Sequence, residues 1–329
     1  MNNYKLKKIL ITGAAGFIGY HISKYLLSIK SFNLIGIDNL SDNLYASSFK
    51  KTRVNLLKRN KSFKFIKLDI LEINKLEKVF KSFNPDIVIH LAASPGVRQS
   101  LKKPNYYFNN NVNTFINIIN LAKEFNCKFL YASSSSVYNS EFNKFPFTED
   151  DRVLKPKSIY GLTKLNNEII AKIYNDNYNF KSIGLRFFTV YGEYGRPDMA
   201  VQLFLDSIYN KRYINLFNSG SYFRSFTYID DVVMIIYKLL KLPLHTFRQV
   251  NIINIGSTKT YKLTQLISIL EKSTNLKARI KLKGKIKNEP FKTQANMKKG
   301  LKILGKLNNT DLETGILKTV GWYQKNFLK

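Results

Sequence analysis

The sequence predicts an α/β fold in which a doubly wound parallel sheet carries a smaller C-terminal α/β lobe. Three observations lead there. Short β-rich runs alternate with helical patterns through the first half of the 329 residues, as they do when helices form the crossovers between parallel strands. A glycine-spaced turn, "TGAAGFIG", separates the first strand-like run from the first helical one. Beyond about residue 190 the alternation loosens, without a low-complexity linker or an internal repeat to mark a break. These features place a first domain at 1–190 and a second lobe at 191–329, with 226–256 returning to the main sheet.

The elements follow in order. "KILIT" (8–12), "NLIGID" (33–38), "FKFIKLD" (63–69), "DIVIHLAA" (86–93) and "KFLYASS" (128–134) are short apolar runs of the length and composition of buried strands. Between them, 17–29, 50–58, 73–82 and 107–125 repeat their apolar residues with the period of a helix. A helix over 160–177 leads to a sixth strand, "KSIGLRFF". Later helices are expected near 199–210, 229–241, 261–273 and 311–327, and "NIINIG" (251–256) reads as the strand that rejoins the sheet. "KARIKLKGKIK" (277–287) alternates like an exposed strand with one lysine-rich face.

Composition excludes several classes of function. With 44% hydrophobic residues the chain can bury a core without staples, and its single cysteine, Cys127, rules out an intramolecular disulfide. A reducing, cytoplasmic setting is expected. The apolar stretch "KILITGAAGFIGYHI" is broken by three glycines and does not read as a signal peptide, and no apolar run is long enough to span a bilayer. The net charge of +31 invites a nucleic-acid reading, but the 53 basic residues comprise 43 lysines and 10 arginines spread along the whole chain. That is a solvated surface, not a groove for a polyphosphate. His21, His90 and His245 have no metal-ligand spacing, so no metal is expected.

The glycine turn carries the first functional signal. Gly13, Gly16 and Gly19 lie between a strand and an amphipathic helix, where a backbone without side chains can turn tightly and approach a pyrophosphate at the helix N-terminus. Asp38 ends the second strand, 19 residues after Gly19. A carboxylate there can accept both ribose hydroxyls of NAD and would repel the extra phosphate of NADP. No basic residue follows in "DNLSDN", so NAD is the expected cofactor.

The second signal is "YGLTK" (160–164), which opens a helix and puts Tyr160 and Lys164 on one face. A free tyrosine, with a pKa of about 10, is a poor base near neutral pH. An ammonium one turn away, together with a positive nicotinamide ring, would stabilise the phenolate.

Together, "TGAAGFIG", "HLAA", "NNNVNTFINII", "YASSSSVY", "YGLTK", "RFFTVYG" and "FTYIDDV" make the chain resemble the extended short-chain dehydrogenase/reductase family over nearly its whole length. The resemblance implies a Rossmann-like NAD-binding domain, a nucleotide-sugar substrate and a homodimer. Within the family, "AASPGVRQS" (92–100) and "RFFTVYGEYGRPDMA" (186–200) look most like UDP-glucuronate 4-epimerases. By position the resemblance makes Ser134, Tyr160 and Lys164 catalytic. It adds Phe17, Ile18, Asn39, Asp69, Ile70, Leu91, Ala92, Ala93 and Asn111 to the cofactor contacts. Asn139 stands where a glycine is usual, and asparagine tolerates positive φ better than most residues.

The neighbours of Ser134 narrow the reaction. Related dehydratases place Asp-Glu directly after the catalytic hydroxyl, and decarboxylating relatives place a Glu there, whereas this chain has Ser135 and Ser136. A hydroxyl cannot serve as a carboxylic acid near neutral pH, so a 4-keto sugar should only turn over and be reduced again. Epimerisation at C4 is expected.

Arginine is rare enough here that each one inside a motif calls for a reason. Its planar fork binds a carboxylate or phosphate at two points, which lysine cannot do. The resemblance assigns Thr189 and Arg196 to the sugar carboxylate and Arg224 to the diphosphate, with Ser134 and Ser135 beside the sugar. Arg98, in the loop after the fourth strand, is expected near the hexose, and Arg186 is expected to be structural within its strand. Two departures concern the nucleotide pocket: Ser225 replaces a usual Asp, and "NEPFKTQAN" (288–296) only loosely follows the family pattern. Three readings stand: an NAD-dependent UDP-glucuronate 4-epimerase, a 4-epimerase of a neutral UDP-hexose such as UDP-glucose, and a catalytically silent NAD-binding protein.

Overall fold

Lys7–Thr12 opens the fold as β1 because its four last residues are fully buried and extended, with an Ile-Leu-Ile run that both faces of a sheet can enclose. The computed structural model describes residues 6–139, 141, 144–151, 153–286 and 289–328. After β1 come α1 (Phe17–Ser28), β2 (Phe32–Asp38), α2 (Ser47–Leu57), β3 (Phe63–Lys67), α3 (Ile73–Phe83), β4 (Ile87–His90), α4 (Val97–Lys102) and α5 (Pro104–Phe108). A widened π turn (Asn109–Asn113) leads into α6 (Thr114–Glu124), then β5 (Lys128–Ser134), a short 3₁₀ turn (Ser135–Val137), α7 (Ile159–Tyr178) and β6 (Ser182–Phe187).

The main sheet has seven strands in the order β11-β6-β5-β4-β1-β2-β3, β11 being Ile252–Ile255. The pairs β1–β2, β2–β3, β1–β4 and β4–β5 are parallel. Strand order reverses between β1 and β4, the point of such a sheet where ligands bind beyond the carboxyl ends of the strands. On one face α3 and α6 supply Leu76, Phe80, Phe115 and Ile118 to a core with Phe129 and Tyr131 of β5. Phe115 stands 5.1 Å from the Tyr131 ring and 5.8 Å from that of Phe129. Each buried ring contributes roughly 1.5–3 kcal/mol, so β5 is anchored directly below its serine-rich end.

The remaining elements are β7 (Thr189–Tyr191), α8 (Ala200–Tyr209), β8 (Tyr213–Phe217), β9 (Phe223–Arg224), β10 (Phe226–Tyr228), α9 (Ile229–Lys241), α10 (Leu244–Gln249), β12 (Tyr261–Lys262), α11 (Leu263–Thr274), β13 (Arg279–Lys283), α12 (Lys298–Leu304) and α13 (Leu312–Phe327). The chain divides into two units by contact: one holds 1–137, 155–186 and 236–253, the other 138–154, 187–235 and 254–329. The chain therefore crosses between units several times, and 138–154, expected in the first domain, belongs to the second.

In the second unit, β7 pairs with β10 and β8 with β13, both in parallel, and β9 pairs antiparallel with β12. Strand β13 is exposed along its whole length, as its alternation predicts, while Lys287 and Asn288 lie outside the described residues. The helix expected over 107–125 is interrupted by the π turn at 109–113, where Asn111 bonds to Ser94. No helix among the described residues is long and apolar enough to cross a membrane.

Candidate active site

The glycine turn sits at the sheet's switch point. Gly13 has φ +71°, and a Cβ on it would lie 2.7 Å from the Ala92 nitrogen and 2.8 Å from the Leu91 carbonyl carbon. Only glycine lets the turn press so closely on the end of β4. The Gly16 N–H closes the turn on the Gly13 carbonyl at 2.9 Å, and Gly16 caps α1 without a side-chain oxygen. The first N–H groups of α1 therefore have no side-chain acceptor, which is the arrangement that receives a phosphate. Phe17 is buried just inside the helix and Ile18 is half-buried.

Leu91, Ala92 and Ala93 are half-buried beside this turn. Beneath them the Thr12 hydroxyl meets Nδ1 of His90 at 2.7 Å, tying β1 to β4. Burial, reinforced by the charge of Lys164, lowers the pKa of His90 to about 3, so its imidazole is neutral.

The ends of β2 and β3 meet. Asp38 is buried, its Oδ1 accepting from the Leu40 N–H at 2.8 Å, and the Asn39 amide donates to Asp69 at 3.0 Å. Ile70 is buried next to Asp69. Two cations of α2 lie here that sequence reasoning did not single out. Lys50 places Nζ 3.7 Å from Asp38, and the fully buried Arg53 donates to the Ala15 carbonyl at 3.0 Å and the Tyr45 hydroxyl at 3.1 Å. Their i, i+3 spacing on α2 was the available signal. An open helix start, a turn that no side chain can fill and a buried carboxylate at the end of β2 together fit NAD.

Asn111, expected at the cofactor, is engaged within the protein. Its Oδ1 accepts from the Ser94 N–H at 2.7 Å and its Nδ2 donates to the Ser94 carbonyl and to Thr163 Oγ1, both at 3.1 Å. Through these bonds it braces the loop after β4.

The serine run meets the start of α7. Ser158 caps that helix, accepting from the Gly161 N–H at 3.0 Å, and a Cβ on Gly161 would collide with the carbonyl oxygen of Ser136 and lie 2.9 Å from Pro156 Cβ. Tyr160 therefore sits directly beside the end of β5. Ser134, the last residue of that strand, accepts from the Ser136 N–H at 3.1 Å. Lys164 is buried, donates from Nζ to the Ala132 carbonyl at 2.9 Å, and holds that atom 6.0 Å from the centre of the Tyr160 ring. Burial pushes Lys164 down to about 8, against the pull of Glu168 in the other direction.

The four serines thus divide their tasks. Ser133 donates to Glu168, which Arg186 clamps through Nε at 2.9 Å and Nη2 at 2.7 Å, so Arg186 is a buried structural partner as expected. Ser134 is buried at the end of the strand, Ser135 is half-buried beside it, and the Ser136 backbone abuts Gly161. Asn139 is buried, and its Oδ1 accepts from the Glu141 N–H at 3.0 Å.

The expected substrate residues fall in both units. Arg98 is exposed on α4 of the first. In the second, Thr189 begins β7, and Arg196 closes on the Asp198 carboxylate through Nε at 3.0 Å and Nη2 at 2.6 Å. Arg224 likewise meets Glu289 at 2.6 Å. Glu193, which the sequence reading passed over, accepts from the Tyr228 hydroxyl at 2.8 Å and so anchors the loop between Thr189 and Arg196. Ser225 is fully buried and donates to the Ser257 carbonyl. The loosely matching segment runs alongside β9, the Phe223 N–H donating to Phe291 at 2.9 Å and the Thr293 N–H to Phe223 at 3.1 Å.

Residues 9–256 match the NAD dependent epimerase/dehydratase family. An uncharacterised protein of Methanocaldococcus jannaschii is 42% identical over 98% of both chains. A UDP-glucuronate 4-epimerase of Thermodesulfobacterium geofontis is 37% identical over 96% of both. The crystal structure of a UDP-glucuronic acid 4-epimerase from Bacillus cereus, in complex with UDP-glucuronic acid and NAD, superposes with a TM-score of 0.89 at 32% identity, covering 97% of this chain and all of the other.

Proposed function

Because this chain belongs to the NAD dependent epimerase/dehydratase family, we propose that it interconverts UDP-glucuronate and UDP-galacturonate by epimerisation at C4. Bound NAD supplies reversible acceptance of the hydride from C4. The Gly13 turn and the open start of α1 hold its diphosphate, and Asp38 holds its ribose hydroxyls. Tyr160 removes the proton of the sugar 4-hydroxyl, with the Lys164 ammonium stabilising the phenolate and the Ser134 hydroxyl bonded to the same sugar oxygen. Ser135 and Ser136 offer no carboxylic acid to expel water from C5 and C6. The 4-keto sugar then turns over and takes hydrogen on its other face.

One observation carries the choice of a uronate. Arg196 already presents its fork to a carboxylate, that of Asp198, with two short parallel contacts. The sugar carboxylate is a second ligand of the same shape, and Thr189 supplies a hydroxyl in the same stretch of chain. Holding that carboxylate also keeps the 4-keto sugar from geometries that lose carbon dioxide.

The test is a panel of UDP-sugars given to the purified protein, with product identification. Conversion of UDP-glucuronate to UDP-galacturonate without net formation of NADH is expected. Preference for UDP-glucose would put the neutral-hexose reading in its place, and NAD binding with no turnover the silent one.

A homodimer in a cytoplasmic setting completes the proposal. Ile169 and Ile173, one turn apart on α7, and Ile116 of α6 are exposed apolar side chains on the first unit, and Cys127 is buried and free. Sedimentation of wild type against Ile173→Lys checks the dimer: a monomeric wild type would refute it.

A further inference from the structure

We propose that Glu168 is a positioning residue for the reaction: clamped by Arg186 and Ser133, it holds Lys164 in place and keeps its amine charged for Tyr160. This rests on the reading of Tyr160 and Lys164 as the proton-transfer pair, not on which sugar is used.

Tyr160, Lys164 and Glu168 follow one another at four-residue intervals along α7, so they form one stripe of the helix. Glu168 is buried, and its two oxygens accept three bonds. Ser133 Oγ and Arg186 Nε reach Oε1, and Arg186 Nη2 reaches Oε2. Ser133 is the neighbour of Ser134, and Ala132, one residue further back, accepts from Lys164 Nζ. A single carboxylate thus ties the helix that bears Tyr160 and Lys164 to the strand that bears Ser134, and to β6 behind it.

The charges around Lys164 show why a carboxylate is needed. Around the Lys164 and Glu168 pair stand Tyr160 on the same helix, the neutral His90 on β4, Tyr131 on β5 and Arg186 on β6, the last two beside Glu168. Burial holds the Tyr131 hydroxyl un-ionised, and Arg186 is spent on Glu168. Among these groups, Glu168 is the one whose charge favours the ammonium against the cost of burying it. A buried ion pair is no better for stability than well-packed apolar side chains of similar size, so packing alone does not explain it.

The experiment uses the NAD-bearing protein with Glu168→Gln, and a double variant, Glu168→Met with Arg186→Met, that leaves no buried unpaired guanidinium. Turnover of the sugar that wild type accepts is followed against pH. In wild type it should fall as Lys164 loses its proton near pH 8. In both variants that alkaline limb should move about one unit or more toward acid, so that relative turnover at pH 8 falls about fivefold or more.

Thermal stability against pH, each protein compared with its Lys164→Met counterpart, reads the same amine without catalysis. The folded value of Lys164, about 8, lies below its unfolded value of about 10.4. Between the two the unfolded state binds more protons, so stability rises with pH across that window. In the variants the rise should begin at lower pH. A uniform loss of turnover at every pH, with limb and onset both unmoved, would reduce Glu168 to packing and overturn the inference. If Glu168→Gln does not fold, the double variant decides on the same two criteria. Tyr160→Phe serves as the control: if it keeps turnover, the proton-transfer reading fails instead.

Discussion

Lys50 Nζ stands 3.7 Å from the carboxylate of Asp38, so the group expected to exclude NADP is already answered by a cation from the next helix. The exclusion then rests on the negative charge of Asp38 alone, with a ready partner for a phosphate beside it. Asp38→Asn should therefore tighten NADP binding about 10- to 100-fold, the worth of one charge-assisted contact of roughly 1.5–3 kcal/mol. Adding Lys50→Met should remove the gain. Dissociation constants for both cofactors on the three proteins decide it, and unchanged NADP binding in Asp38→Asn would count against the arrangement.

Gly161→Ala should disable the enzyme without touching a reacting group. The added methyl meets the Ser136 carbonyl, a backbone atom with little room to yield, so the start of α7 must move away from the end of β5. A displacement of about 1 Å between Tyr160 and Ser134 is enough to cost on the order of 100-fold in kcat. NAD binding should survive. Equal kcat in the variant would mean that the contact does not set the geometry of the pair.

Gly16→Val tests the cofactor cradle. A Cβ at this position lies 2.9 Å from the Gly13 carbonyl oxygen, so a branched side chain deforms the turn as well as crowding a phosphate. The variant should lose NAD, measured by cofactor content after purification and by titration. Retention of NAD would show that the dinucleotide is held elsewhere.

Arg196→Ala should lower kcat/KM for UDP-glucuronate about 10- to 100-fold, and far more than any residual activity on UDP-glucose. Asp198→Asn removes the carboxylate that now fills the fork, and should lower KM for UDP-glucuronate without a matching change for UDP-glucose. An equal effect on both sugars in either variant would detach Arg196 from the uronate.

Much of this architecture was legible in the sequence because its signals are local. The first six strands are runs of apolar residues, the glycine turn needs only its spacing, and Tyr160 and Lys164 share a face by virtue of a four-residue interval. What stayed hidden depends on distant segments meeting. Lys50 reaches Asp38 across a loop, Ser133 reaches Glu168 from 35 residues away and Glu289 reaches Arg224 from 65. Strands such as β7, β9, β10 and β12 span two or three residues, too few for a period to emerge. The bonds of Asn111 to Ser94 and to Thr163 join segments 17 and 52 residues apart and were hidden for the same reason.

The central claim is that hydrogen leaves C4 of UDP-glucuronate and returns to the same carbon from the other side. UDP-glucuronate carrying deuterium at C4 tests it most directly, in ordinary water, with the product examined by NMR and mass spectrometry. The account predicts UDP-galacturonate that keeps its deuterium at C4, all six sugar carbons, and no solvent hydrogen at C5. Deuterium lost to solvent, a product short of one carbon, or a dehydrated sugar would contradict it.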